Sequence, residues 1–216
     1  MKQKNIFLQA EGNAWFARNE AKVAARKLPE ADFLLPEIID ICNQMPVKKG
    51  VRVLEIGCGD GSRLSWLKNN LNMDCYGVEP SALAVKKACS KGLDVRQGTS
   101  DQLPFGDQNF DIVIFGFCLY LCDREDLFRI ASEADRVLRS PGWLAILDFF
   151  SPTPRANDYH HLPSIKSYKM NYRTLFDWHP NYEVYTHKLR GDGEVGYTDN
   201  KDEWLSISIL RKFQWS

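Results

Sequence analysis

Val53-Leu54-Glu55-Ile56-Gly57-Cys58-Gly59-Asp60-Gly61, followed by Asp74-Cys75-Tyr76-Gly77-Val78-Glu79, decides how this chain folds. An apolar strand that empties into a glycine loop, beside a second strand ending in a carboxylate, makes a crevice for a ribonucleoside cofactor. Gly57, Gly59 and Gly61 recur at every second residue, and position 62, where a dinucleotide fingerprint wants its third glycine, is serine. A pyrophosphate needs several amides converging at a helix start, whereas this looser turn carries the negative charge of Glu55 beside it. Glu79 stands eighteen residues beyond Gly61, where a strand-end carboxylate can accept hydrogen bonds from both ribose hydroxyls.

Outward from that stretch, strand and helix patterns alternate. Upstream, the sequence is helix-forming from Asn13 to Leu28, is broken at Pro29, and resumes as a helix over 36–45. Downstream of the first strand, 52–56, a helix begins just past Gly61 and carries Leu64, Trp66, Leu67 and Leu71. After the strand 74–79, Pro80-Ser81-Ala82 opens another helix through Ala88, and 92–96 forms a short third strand. Phe110 to Phe117 is a continuous apolar run of the kind buried in a parallel sheet. A helix over 125–138 and a strand over 143–149 complete the alternation. A polar insertion then occupies 151–180, with 168–178 expected to be helical. The segments 183–190 and 203–213, separated by the turn-forming Gly191-Asp192-Gly193-Glu194, are expected to pair antiparallel at the sheet edge. The βαβ spacing predicts one α/β domain over 1–216, with a helical cover at 1–48, a cofactor-binding core at 50–150 and an acceptor-side insertion at 151–180.

Lys+Arg and Asp+Glu number 28 each, so no net field favours a polyanion or a membrane surface, and nucleic acid is not the expected partner. Six cysteines lie scattered without C-x-x-C spacing and are expected to be free thiols. Met1-Lys2-Gln3-Lys4-Asn5 is followed by only three apolar residues, too few for a signal peptide, and no apolar stretch is long enough to span a bilayer. The expectation is a cytoplasmic protein, monomeric or homodimeric, with no membrane partner.

Val-Leu-Glu-Ile-Gly-Cys-Gly-Asp-Gly, Gly-Val-Glu-Pro-Ser, Gly-Thr-Ser-Asp-Gln-Leu-Pro-Phe, Phe-Asp-Ile-Val-Ile and Arg-Val-Leu-Arg-Ser-Pro-Gly-Trp occur in that order over roughly residues 50–150. Together they resemble the class I, seven-stranded, S-adenosylmethionine-dependent methyltransferases, and in particular their small-molecule branch. The resemblance implies a Rossmann-like three-layer sandwich: a seven-stranded, mostly parallel sheet with an antiparallel C-terminal edge strand. It implies S-adenosyl-L-methionine as cofactor and methyl transfer as the chemistry. It places Glu55, Gly57, Cys58, Gly59 and Gly61 around the methionine portion, Glu79 on the ribose hydroxyls and Pro80 on the adenine face. Thr99 and Ser100 fall where the family carries a polar pair at the adenine edge. Many members have aspartate at the first of these, so Asp101 or a backbone carbonyl is the alternative contact here. Phe115, Gly116 and Phe117 would line the path from methyl group to acceptor.

Methyl transfer from a sulfonium needs the acceptor held in line and a destination for its proton. His160 and His161, in the insertion, are the histidines nearest in sequence to the ligand-binding edge and are base candidates, with no third residue spaced to complete a metal site. Tyr120, where many relatives have histidine, and Tyr159 are candidates for orienting the acceptor. Arg124 either holds an acidic group of the acceptor or pairs with Glu125 or Asp126. Trp15, Phe16 and Arg18 form a candidate lid, in a stretch similar to methyltransferases encoded beside carbohydrate-modifying enzymes. That likeness points to a polar small molecule, specifically a saccharide or sugar nucleotide. The aromatic and basic insertion keeps a protein or RNA substrate as the alternative, and the absence of an assured base keeps a non-catalytic cofactor-binding subunit.

Overall fold

The computed structural model describes residues 2–45, 50–191 and 198–214. The chain opens with α1 (Gln3–Ile6), a π-helical turn (Phe7–Glu11) and α2 (Gly12–Ala24), so helix begins well before Asn13. Phe7 is buried there against Tyr159 and Ile165, a long-range contact that no local periodicity announces. Asp32 starts α3 (Leu35–Gln44) by accepting the backbone N–H groups of Leu34 and Leu35, both at 2.9 Å.

The central elements follow in βα alternation: β1 (Arg52–Ile56), α4 (Ser62–Leu71), β2 (Asp74–Glu79), α5 (Ala82–Ser90), β3 (Asp94–Gln97), β4 (Phe110–Gly116), α6 (Leu127–Val137) and β5 (Leu138–Phe149). Beyond them lie β6 (Arg155–Asp158), β7 (Lys166–Lys169), the short α7 (Thr174–Asp177), β8 (Tyr182–Gly191) and β9 (Trp204–Lys212). Seven strands form one sheet in the order β3-β2-β1-β4-β5-β9-β8, in which β9 runs opposite to the other six. The fold is a Rossmann-like α/β sandwich. Ile112 and Ile114 of β4 pack with α3 and α4 on one face, and Val113 and Phe115 pack with α6 on the other. Burial on both faces is why that strand reads as unbroken apolar sequence.

The antiparallel pair closes one edge of the sheet, with the last strand, β9, one position in and β8 outermost. In the insertion the structure departs from the helical expectation for 168–178. Tyr168 instead lies in β7, whose backbone pairs with β6, and only Thr174–Asp177 is helical. Aromatic residues suit both states, and pairing of Tyr168 with Ala156, twelve residues upstream, decided between them. Of the expected turn Gly191-Asp192-Gly193-Glu194, Gly191 ends β8, and 192–194 lie outside the described residues. All six cysteines are free; Cys58 and Cys75 are buried and Cys89 is exposed.

From β1 the chain winds outward through β2 to β3, then returns to place β4 on the other side of β1. The connections part at that reversal and leave a crevice beyond the carboxyl ends of β1 and β4.

Candidate functional site

Gly57 and Gly59 have φ of +74° and +55°, in the left-handed region that a residue without a β-carbon enters freely. A β-carbon on Gly57 would lie 2.6 Å from Cβ of Cys118, whereas one on Gly59 would meet nothing within 4 Å. Gly59 therefore presents bare backbone to open space. Its N–H donates to Oε2 of Glu79 at 2.9 Å, and the N–H of Ser81 donates to Oε1 at 3.0 Å. Each oxygen of this buried carboxylate thus holds one amide and retains acceptor capacity for a ligand. Burial raises the Glu79 pKa, and the two amides oppose that rise.

Glu55, buried near the end of β1, pairs through Oε1 with Arg63, while its buried Oε2 has no hydrogen-bond partner. Across from it, a β-carbon on Gly116 would stand inside contact distance of Oε1 and 3.1 Å from the Gly57 carbonyl oxygen. Only glycine fits at the end of β4. Burial pushes Glu55 up to about 7, with Arg63 pulling the other way. Arg63 also grips Asp32 at 2.9 Å, so one guanidinium ties β1 to the linker between α2 and α3. Neither Asp32 nor Arg63 was a sequence candidate. The available signal was a cation in the first turn of a helix, where the helix dipole disfavours it unless an acid holds it.

These groups line a cavity of about 1280 Å³. The N-terminal cover contributes Phe7, Trp15 and Phe16 to its wall. Cys58, Pro80, Thr99, Ser100 and Asp101 also face it. Thr99 Oγ1 donates to Asp101 at 2.7 Å, and Lys4 of α1 pairs with the same carboxylate. On the other side lie Gly116, Phe117 and Tyr120. Phe117 has φ of +71°, and its ring centroid is 5.2 Å from that of Tyr120 and 4.8 Å from that of Phe149. Phe117 holds a backbone conformation unfavourable for a bulky residue, the kind of strain that collects at ligand sites.

Other candidates lie elsewhere. Gly61 faces the core, where a β-carbon would come within 2.5 Å of Leu93 Cδ1. Phe115 is fully buried on the opposite face of the sheet. Arg18 and Tyr159 both bond Glu11, the phenol at 3.1 Å, and so fasten α2 to the insertion outside the cavity wall. His160 and His161 are exposed, their rings 4.1 Å apart, and neither lines the cavity. Arg124 pairs with neither Glu125 nor Asp126. It donates to the Cys122 carbonyl at 2.7 Å and the Tyr172 hydroxyl at 3.2 Å, bracing its own loop.

Among the described residues, then, no imidazole faces the cavity. Burial raises the pKa of the Cys58 and Cys118 thiols and of the Tyr120 phenol, so none of them is a ready base at neutral pH. The donor set suits an adenosylated amino acid: a strand-end carboxylate with free acceptor capacity, an orphaned carboxylate oxygen and bare backbone, all on one cavity.

Residues 54–146 match a family model described as a methyltransferase domain. The probable phthiotriol/phenolphthiotriol dimycocerosates methyltransferase 2 of Mycobacterium ulcerans is 36% identical over 104 residues, 46% of this chain and 40% of that protein. The fatty-acid O-methyltransferase of Mycolicibacterium smegmatis is 34% identical over 105 residues, 46% of this chain and 38% of that protein. The match thus spans about two fifths of the length of these curated relatives. Among solved structures, the 1,6-didemethyltoxoflavin-N1-methyltransferase of Burkholderia thailandensis, with bound 1,6-didemethyltoxoflavin and S-adenosylhomocysteine, has the same fold. It aligns with a TM-score of 0.67 at 15% identity over 94% of this chain and 87% of that one.

Proposed function

We propose that this chain, whose residues 54–146 match a methyltransferase-domain model, is a class I S-adenosylmethionine-dependent methyltransferase that moves a methyl group from that cofactor to an oxygen or nitrogen of a polar small molecule. The observation that carries the proposal is the convergence of Glu55, Gly59 and Glu79, from the ends of two neighbouring strands and the loop between them, on one cavity. Bound there, the cofactor supplies an electrophilic methyl group on a sulfonium. Glu79 would accept the ribose hydroxyls, and Oε2 of Glu55 would take the ammonium group. Pro80, Thr99, Ser100 and Asp101 would flank the adenine. Trp15, Phe16, Phe117 and Tyr120 would shield the acceptor side from water.

Without an imidazole on the wall, a nucleophile that has already lost its proton suits the site better than an alcohol does. A neutral amine or an ionised oxygen qualifies. Among saccharides, the class favoured by the N-terminal likeness, this selects amino or acid-bearing sugars and sugar nucleotides. The relatives named for a fatty acid and for phthiotriol lipids favour a second reading, an acceptor with a hydrocarbon body.

Calorimetry should show saturable one-to-one binding of S-adenosylhomocysteine, and labelled cofactor incubated with cell extract should leave its label in low-molecular-weight material. No binding by a folded sample would sink the cofactor assignment, and label confined to protein or RNA would sink the acceptor class. Because Glu55 must be ionised to hold an ammonium and titrates near 7 before ligand arrives, affinity for S-adenosylhomocysteine should rise with pH. The ionised fraction grows about tenfold between pH 6 and 8, so the dissociation constant should fall by about that factor. Glu55→Gln should flatten the profile; an equally steep slope in the variant would remove Glu55 from the role.

A further inference from the structure

Among the described residues, Arg190, on the outermost strand β8, is the one arginine lining the cavity, apart from the exposed Arg26, without a carboxylate partner. Arg63, on the same cavity, is neutralised by Asp32 and Glu55. The Arg190 guanidinium carbon instead lies 3.3 Å from the ring centroid of Phe33, and its buried Nε has no hydrogen-bond partner. Burial lowers its pKa, and no acid among the described residues offsets that cost. An arginine held flat against an aromatic ring keeps its fork of donors ordered, and an ordered, half-desolvated, uncompensated fork suits a planar or tetrahedral oxyanion.

Its position relates it to the transfer centre. Across the sheet, Gly116 of β4 is level with Leu147 of β5, while Phe149, two residues on, is level with Leu205 of β9 and then Arg190 of β8. Arg190 is therefore three strands from Gly116, about 14 Å across a sheet spaced at about 4.8 Å per strand. Leu147 and Leu205 line the same cavity between them. Lys22, Arg26 and Lys27, at the end of α2 and just beyond, line it as well, and none of them has an acidic partner among the described residues.

We propose that Arg190 binds an anionic group, carboxylate or phosphate, on the acceptor, at the end away from the atom that receives the methyl group. The proposal rests on the methyl-transfer reading and adds the chemical class of substrate. It requires an acceptor long enough to reach from the cofactor crevice to β8, with its negative charge at the far end. The positive side chains at the end of α2 would draw such a molecule in.

The test uses the full chain saturated with S-adenosylhomocysteine, with arginine Nε–Hε signals observed by NMR and the Arg190 signal identified by its loss in Arg190→Gln. Benzoate and phenyl phosphate serve as anionic probes, and benzamide as the neutral control. The Arg190 signal should move saturably with at least one anion and not with benzamide. Calorimetry, which does not depend on that signal, should show Arg190→Gln weakening the same binding by about tenfold or more, the loss expected for hydrogen bonds to a charged group. The substitution should leave S-adenosylhomocysteine affinity unchanged. A preference for benzoate over phenyl phosphate would assign a carboxylate, and the reverse a phosphate; either supports the site. No saturable shift with either anion, an equal shift with benzamide, or undiminished binding in Arg190→Gln overturns it. Failure of S-adenosylhomocysteine to bind is a separate result, which would fall on the methyl-transfer reading itself.

Discussion

Arg63→Met should lower folding stability at neutral pH by about 3–5 kcal/mol, the range found when one partner of a buried ion pair is removed. Arg63, Asp32 and Glu55 are nearly inaccessible, with side-chain exposures of 10%, 3% and 3%. The substitution keeps an unbranched chain of similar volume but strands two carboxylates out of water. Arg63 holds the Asp32 pKa below its usual range, against the desolvation that would raise it. A depressed carboxyl adds stability above its unfolded pKa and loses it as pH falls through the folded one. In the variant that stabilisation is gone and both acids favour protonation. The deficit should therefore be largest near neutrality and shrink as the solution is acidified toward the range where free carboxyls protonate. Urea titrations of both proteins at several pH values would measure it. A deficit below about 1 kcal/mol, the level of a surface pair, would mean that the network is solvated in solution.

Glu79→Gln should reduce S-adenosylhomocysteine affinity by about 100-fold or more. Two hydrogen bonds from ribose hydroxyls to a buried carboxylate are worth roughly 1.5–3 kcal/mol each, and a neutral amide offers one acceptor oxygen where the acid offers two. The new amide group would also face the N–H of either Gly59 or Ser81, donor against donor, and loosen the turn that the carboxylate now holds at 2.9 and 3.0 Å. Calorimetry would read the affinity and circular dichroism the intact fold. A folded variant that binds as tightly as the parent would show that Glu79 serves only the loop.

The central half of the fold was legible because its signals are local. The glycines, the strand-end Glu79 and the two-sided apolar run at Phe110–Gly116 each carry their structural reason within a few residues. What escaped depends on contacts between distant segments. Tyr168 became strand because Ala156 lay opposite it, and helix began early because Phe7 had Tyr159 to pack on. In the site, proximity along the chain misled: His160 and His161 follow the ligand-binding edge in sequence yet end exposed beside Tyr159. Phe115 and Gly116 are adjacent, but strand alternation sends Phe115 into the far core and leaves Gly116 at the cavity. Arg190 had no motif at all. Its significance comes from lacking an acidic partner among the described residues, which only three dimensions reveal.

The placing of β9 between β5 and β8 bears on how the protein is made. β8 is synthesised first, yet its backbone pairs only with β9, and the neighbouring edge of β5 stays open until the same strand arrives. On the ribosome, the sheet cannot close until Trp204–Lys212 has left the exit tunnel. Until then an apolar strand edge stands open to other nascent chains. Truncation ahead of Trp204 would remove that strand, leaving β8 unpaired and the long flank of β5 bare.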